Sequence, residues 1–279
     1  MENKVELKKD NIFKKGFDKI KNFKLNRKVF AYPYVLFMIL FIVVPLVMII
    51  AYAFISDRTG AFTFGNFVTL AKDNVSLKVL WQSLLIGILT TLCCIVIGYP
   101  VAYIASKMKS GGVIIIFFLL PMWVNFLLRT LALKELFNSL NLSLGFGALL
   151  VGMVYNHLPF MILPIHTSLI GIDKSYAEAA KDLGASSPVS FAKVILPLTL
   201  PGIISGIIMV FIPTISSFAI SEMLGGGEIL LFGDSINAKV MHNQLGVASV
   251  MSLIMLLMVL VANVFISKLN KGNSASSLL

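Results

Sequence analysis

Six apolar runs, each about as long as a bilayer core is thick, constrain this chain more than any other feature. They lie near residues 31–55, 79–106, 113–133, 145–170, 202–222 and 246–267. A helix needs roughly 20 apolar residues to cross that core, and in lipid it must satisfy its own backbone hydrogen bonds. The pattern therefore predicts an all-α integral membrane protein with six transmembrane helices.

The composition agrees with a membrane protein. The chain is 58% hydrophobic and only 13% charged, whereas soluble domains contain about 25% charged residues. Cys93 and Cys94 are adjacent within an apolar run. Because they lack metal-binding spacing, we expect them to be small apolar side chains of a helix, with no metal site.

The charge distribution predicts the orientation in the membrane. The net charge is +10, and ten Lys/Arg lie in residues 1–28. With a cytoplasmic N-terminus, 17 of the 23 Lys/Arg lie on the inner side, as the positive-inside rule requires. We expect a basic cytoplasmic tail at 1–30, a membrane domain at 31–270 and a cytoplasmic tail at 271–279. The basic tail is either an amphipathic helix on membrane lipid or disordered, and nucleic acid is not an expected partner.

A polar segment at about residues 173–198 interrupts the apolar pattern on the inner side. Asp173 is placed to cap a short helix, and Gly184 is placed to end it. The Ser-Ser-Pro sequence at 186–188 can start a second helix, and Pro197 and Pro201 should break the chain before the fifth span. The segment therefore predicts a stiff helix–turn–helix, which either docks a partner protein or is an inert surface helix.

One motif in this segment resembles the EAA loop of ABC-importer permeases. Glu178-Ala179-Ala180, Gly184 and Leu196-Pro197 have the spacing of that loop, with Val194 where isoleucine is usual. The resemblance implies a type I ABC-importer permease fold with a cytoplasmic coupling helix that inserts into a groove of an ATPase. The residues it implies for coupling are Glu178, Ala179, Ala180, Asp182, Gly184, Leu196 and Pro197.

Longer stretches resemble one subfamily of these permeases. Segments 120–134, 154–164, 179–186, 196–206 and 222–236 look like the first permease subunit of bacterial spermidine/putrescine importers. The resemblance implies a bacterial plasma-membrane protein that pairs with a second, different permease. It also implies two copies of an ABC ATPase and an extracytoplasmic substrate-binding protein. We expect no enzymatic activity and no cofactor in this chain, with ATP and magnesium bound by the ATPase, because no G-x-x-x-x-G-K-[ST] segment is present.

Polar and aromatic residues within the apolar runs are candidates for a substrate path. These are Trp123, Asn125, Tyr155 and Glu222, which lie near helix-breaking prolines or span ends. Ordinary helix packing is the alternative. Arg129 is expected near the outer interface, where its side chain could extend towards water.

Other functions remain open from the sequence. A permease for sulfate, molybdate, iron or thiamine would share the same loop motif. A stand-alone secondary carrier would leave the docking loop unexplained. An intramembrane enzyme would need a catalytic group such as a Ser/His pair or two buried Asp, and these apolar runs contain few such residues.

Overall fold

The computed structural model describes residues 27–57 and 59–276, and these are almost entirely helical. The only β-pairing among them is an isolated bridge between Ile55 and Phe62. The chain divides into two compact units, Met1–Ala51 and Tyr52–Leu279. The predicted all-α class is confirmed, while the basic tail at 1–30 lies mostly outside the described residues.

The first apolar run forms two helices joined by a wider turn. They are α1 (Arg27–Met38) and α2 (Val44–Ala53), with a π-helical turn at Ile39–Val43 between them. The apolar part, Tyr32–Ala53, is long enough to cross a bilayer.

The second unit contains the remaining helices. In chain order they are α3 (Gly65–Lys72), α4 (Asn74–Lys107), α5 (Gly111–Leu119), α6 (Phe126–Ser139), α7 (Phe146–Ile170), α8 (Lys174–Asp182), α9 (Ser187–Ser190), α10 (Leu196–Ser216), α11 (Ala219–Leu224), α12 (Phe232–Met241) and α13 (Leu245–Ser276). A 3₁₀ turn at Leu120–Trp123 follows α5, and a π-helical turn at Phe191–Ile195 joins α9 to α10.

The described helices include five that could each cross a membrane, and a sixth if one bent pair counts as a single span. That pair, Gly111–Trp123 and Phe126–Ser139, is bent by 93°. Pro121 lies in the 3₁₀ turn after α5, and the third apolar run does not form one straight helix. The chain turns at Val124, whose backbone is extended, before Asn125 caps α6.

The fifth span differs from its predicted position at 202–222. The membrane-length helix runs over Ser187–Ser216, and Ser217 then adopts an extended backbone that ends it. Glu222 consequently lies on the separate short helix α11. The sequence pattern merged two helices because the break at Ser217 contains no glycine or proline.

Three long helices, α4, α7 and α10, form the centre of the second unit. Their buried apolar side chains include Met161, Ile165 and Val210. Glycines let the backbones approach closely, as membrane helices commonly do. At Gly202 of α10, a Cβ atom would lie 2.7 Å from the carbonyl oxygen of Pro164 on α7.

The loops that connect these helices lie at two ends of the second unit. At one end, the Asp57 carboxylate accepts from the Gly246 amide at 2.8 Å, and Lys239 lies 3.6 Å from the Asp73 carboxylate. At the other end, the C-terminus of α4 and the start of α8 line a common cavity.

Candidate functional site

The helix α8 begins at a well-defined cap. The Asp173 side chain accepts a hydrogen bond from the Ser175 amide at 2.9 Å, as the sequence predicts for an N-cap. This bond favours the ionised carboxylate and lowers the pKa of Asp173 below its usual value. A charged acceptor at the N-terminus also complements the helix dipole, so the start of α8 is firmly set.

The end of α8 is a Schellman turn centred on Gly184. Gly184 has a φ of +80°, which L-residues with a Cβ rarely adopt. Its amide donates to the carbonyl oxygen of Lys181 at 2.8 Å, and the Ala185 amide donates to that of Ala180 at 3.0 Å. These are the two bonds that define the motif. The structure thus agrees with the predicted role of this glycine as the turn residue.

An exposed apolar stripe runs along one face of α8. Tyr176, Ala179, Ala180 and Leu183 are spaced three or four residues apart and so share a face. Tyr176 is 56% exposed and Leu183 is 89% exposed. The sequence motif does not include either large residue, although their helical spacing around the Ala-Ala pair could have indicated them.

The polar motif residues are also exposed. The structure leaves Glu178, Ala179, Asp182 and Gly184 at the surface, and Ala180 is half-buried. Ala177 is half-buried and packs against the central core. The helix is therefore held on the protein along the side of Ala177, and most of its remaining surface is exposed.

The predicted break at Pro197 and Pro201 is wrong. The chain continues from α9 through the π-helical turn into α10, and both prolines lie within α10. Proline lacks an amide hydrogen, so a helix must lose a bond at that position. The wide turn directly precedes Pro197, and the Leu196 amide bonds to the carbonyl of Phe191, five residues earlier. Such turns occur in helices at functional sites.

The four residues proposed for a substrate path lie on separate elements of the second unit. Trp123 is 84% exposed at the end of the 3₁₀ turn, and Glu222 is exposed on α11. The Asn125 side chain accepts from the Leu127 amide at 2.9 Å, so it caps α6. Tyr155 is 40% exposed on α7. Within the described residues, no hydrogen bond or ring contact links any two of these four.

Arg129 is buried in the protein, so its side chain does not extend towards water as expected. Only 9% of it is exposed, and its guanidinium carbon lies 5.9 Å from the centre of the Tyr155 ring. The neighbouring Thr130 hydroxyl accepts from the Asn156 amide at 3.2 Å. The packing of α6 against α7 draws this side chain inwards, which hydropathy alone could not reveal.

Similarity to a known family shows what kind of protein carries this loop. Residues 94–274 match the model of the family described as "Binding-protein-dependent transport system inner membrane component". The chain belongs to this family. It is a permease subunit of an ABC importer, a multi-pass protein of the inner membrane and a transport subunit, not an enzyme.

The permease is similar to named polyamine permeases. It is 34% identical over 229 residues to "Spermidine/putrescine transport system permease protein PotB" of Escherichia coli (strain K12), covering 74% of this chain and 83% of that protein. The protein of the same name in Haemophilus influenzae is 33% identical over 226 residues, covering 72% and 79%. The chain is therefore a PotB-type permease.

Solved structures show the same fold. A bacterial ABC transporter for import of the acidic polysaccharide alginate aligns with a TM-score of 0.66 and 14% identity, over 92% of this chain and 98% of that one. The methionine ABC transporter MetNI in an inward-facing conformation aligns with a TM-score of 0.54 and 17% identity, over 71% and 94%. The type I importer fold implied by the EAA loop is confirmed by these neighbours.

Proposed function

We propose that this permease forms part of a translocation path for spermidine and putrescine, and that α8 couples the path to a cytoplasmic ATPase. The observation that carries the coupling role is the exposed stripe of Tyr176, Ala179, Ala180 and Leu183 on a helix fixed at both ends. A soluble surface helix has no need to expose a leucine so fully beside a tyrosine. Burial of such a stripe in a partner's groove is a common mode of helix recognition.

The motif residues have distinct roles in this proposal. Glu178, Ala179, Ala180 and Asp182 contact the ATPase groove, and the small alanines allow close approach. Gly184 fixes the turn, while Leu196 and Pro197 start the helix that receives the movement. Because α8 is preorganised, little conformational entropy is lost on docking.

Two observations support a polyamine as the substrate. The named relatives are spermidine/putrescine permeases. Exposed aromatic rings at Trp123 and Tyr155 and the exposed carboxylate of Glu222 suit a flexible organic cation, because ammonium groups bind ring faces and carboxylates. We propose that a partner permease supplies further groups to this path.

The remaining partners follow from the family. We propose a heterodimer with a second permease, two ATPase copies that hold ATP and magnesium, and an extracytoplasmic substrate-binding protein. A related transporter of this fold was solved with a ligand-bound periplasmic protein. We propose that both termini and α8 lie in the cytoplasm, because this orientation leaves most Lys/Arg on the inner side.

Reconstitution tests the substrate and the energy source together. The permease is assembled with its partners in proteoliposomes, and uptake of labelled spermidine, sulfate, molybdate, iron and thiamine is measured with and without ATP. We expect ATP-dependent uptake of spermidine alone. Uptake of another solute would overturn the polyamine assignment, and uptake driven by an ion gradient without ATP would indicate a secondary carrier.

A further inference from the structure

Two tyrosines of α4 pack against the first residue of the π-helical turn that follows α8 and α9. The Phe191 ring lies edge-on to Tyr99 at a centroid distance of 5.8 Å and edge-on to Tyr103 at 5.1 Å. Edge-to-face packing is a favourable aromatic geometry. Phe191 is the first residue of the wide turn, so α4 holds the turn at its start.

The same α4 surface also holds the helix beyond the turn. The Tyr99 hydroxyl lies 3.1 Å from the Thr199 hydroxyl oxygen, which in turn donates to the carbonyl of Leu196 at 2.8 Å. A threonine hydroxyl has one proton. Since Thr199 uses it towards Leu196, Tyr99 donates to Thr199. Tyr99 therefore contacts both Phe191, at the start of the wide turn, and the first turn of α10.

A pocket of about 490 Å³, partly open to solvent, lies beside this contact. It is lined by Tyr103, Ser106 and Lys107 of α4, by Ala177 of α8 and by Ile195 of the wide turn, among others. This open space can accommodate a shift of α8 relative to the wide turn.

We propose that the π-helical turn at Phe191–Ile195 is a pivot, and that Tyr99 and Tyr103 hold it so that movement of α8 is passed to α4 and α10. This inference rests on the proposed ATPase docking of α8. The wide turn supplies the compliant point, since its hydrogen bonds are those of an interrupted α-helix. Phe191 is a positioning residue in this proposal, because it touches neither substrate nor ATP.

Phe191→Leu removes the ring contacts with Tyr99 and Tyr103 but keeps an apolar side chain at this position. We expect the variant to insert, to bind the ATPase and to allow ATP hydrolysis, but to take up roughly two- to thirty-fold less substrate per ATP hydrolysed. Phe191→Tyr keeps the ring and should retain the wild-type ratio. Phe118→Leu is the matched control, because Phe118 is a half-buried ring packed on the same core but makes none of the ring contacts described for Phe191.

A second variant removes only one group. Tyr99→Phe deletes the hydroxyl that bonds to Thr199, keeps the ring against Phe191, and should lower the same ratio by a smaller factor. Filling the cavity with Ser106→Leu should also lower uptake per ATP, whereas Ser110→Leu, on an exposed residue outside the cavity lining, should not.

The outcomes separate the inference from the function on which it rests. Unchanged uptake per ATP in Phe191→Leu, with wild-type transport driven by ATP, would overturn the pivot and leave ATPase coupling intact. An equal loss in Phe118→Leu would show a general packing effect and also overturn it. Failure of the wild-type permease to bind an ATPase or to use ATP would overturn the proposed coupling itself, and the pivot with it.

Discussion

The amide of Ala185 donates a hydrogen bond to the carbonyl oxygen of Ala180 at 3.0 Å, across the turn made by Gly184. This bond closes α8 and fixes the direction in which Leu183 points away from the helix. A short helix that is capped at Asp173 and closed at Gly184 behaves as one rigid piece. Rigidity is what a helix needs if it is to pass movement from one protein to another.

Replacement of Gly184 should disrupt this turn. A residue with a Cβ costs about 1–2 kcal/mol at positive φ, and a β-branched residue is less tolerant still. We expect Gly184→Val to insert normally but to lose most ATPase binding in co-purification. Gly112→Val is the control, because a Cβ there meets nothing within 4 Å and its φ is not positive. Retained ATPase binding by Gly184→Val would contradict the role of the turn.

The contact of α10 with α7 should be sensitive to glycine size in a graded way. A Cβ at Gly202 would lie 2.7 Å from the backbone oxygen of Pro164, whereas at Gly206 its nearest neighbour is the Met161 sulfur at 2.6 Å. A flexible methionine can move, but a backbone carbonyl cannot. We expect Gly202→Ala to destabilise the protein by about 1–3 kcal/mol and Gly206→Ala by less. Thermal unfolding in detergent measures both, and the reverse order would refute the packing described.

The N-cap of α4 should contribute stability that depends on pH. Asp73 accepts from the Ser76 hydroxyl at 2.8 Å and from the amides of Val75 and Ser76 at 3.1 and 3.3 Å. The bond from the Ser76 hydroxyl is the main reason that the pKa of Asp73 is lowered from 3.8. Its ionised form therefore stabilises the fold, and the gain is present above pH 3.8 and is lost as pH falls through the lowered pKa.

Two variants measure this contribution. Asp73→Ala should cost about 1 kcal/mol at neutral pH, as for other N-caps. The difference in unfolding temperature between wild type and Asp73→Asn should shrink as pH falls below 3.8. A difference that stays constant down to pH 3, or that grows, would show that the carboxylate charge does not stabilise this helix.

Glu222 should influence the affinity for a cationic substrate. It is exposed on α11, so Glu222→Gln removes a charge with little cost to folding. We expect a higher KM for spermidine uptake with a similar maximal rate. Glu135→Gln, at another exposed position, should leave KM unchanged, and equal effects of both changes would indicate only a general surface potential.

Much of this architecture was predictable because it follows from local rules. Apolar length marked the membrane helices, and Asp173 and Gly184 fixed the ends of α8 through capping and backbone conformation. The wrong predictions concern residues whose structure depends on tertiary packing. Arg129 is buried because α6 packs on α7, and Pro197 continues a helix because a wide turn before it absorbs the missing hydrogen bond. The packing of Tyr99 and Tyr103 on Phe191 joins residues almost a hundred positions apart in sequence, so no local sequence pattern could predict it.

In the proposed complex, the Leu183 face of α8 lies in the cytoplasm and is covered by an ATPase. Leu183→Cys, in a background without Cys93 and Cys94, can be labelled with a membrane-impermeant maleimide in right-side-out and inside-out vesicles. Leu142→Cys is the control, because Leu142 is exposed in the connection between α6 and α7 on the predicted outer side.

We expect Leu183→Cys to react only in inside-out vesicles, and to become protected when the ATPase is bound, while Leu142→Cys reacts only in right-side-out vesicles and is unaffected by the ATPase. Reaction of Leu183→Cys from the outside, or an unchanged labelling rate with the ATPase bound, would contradict the account.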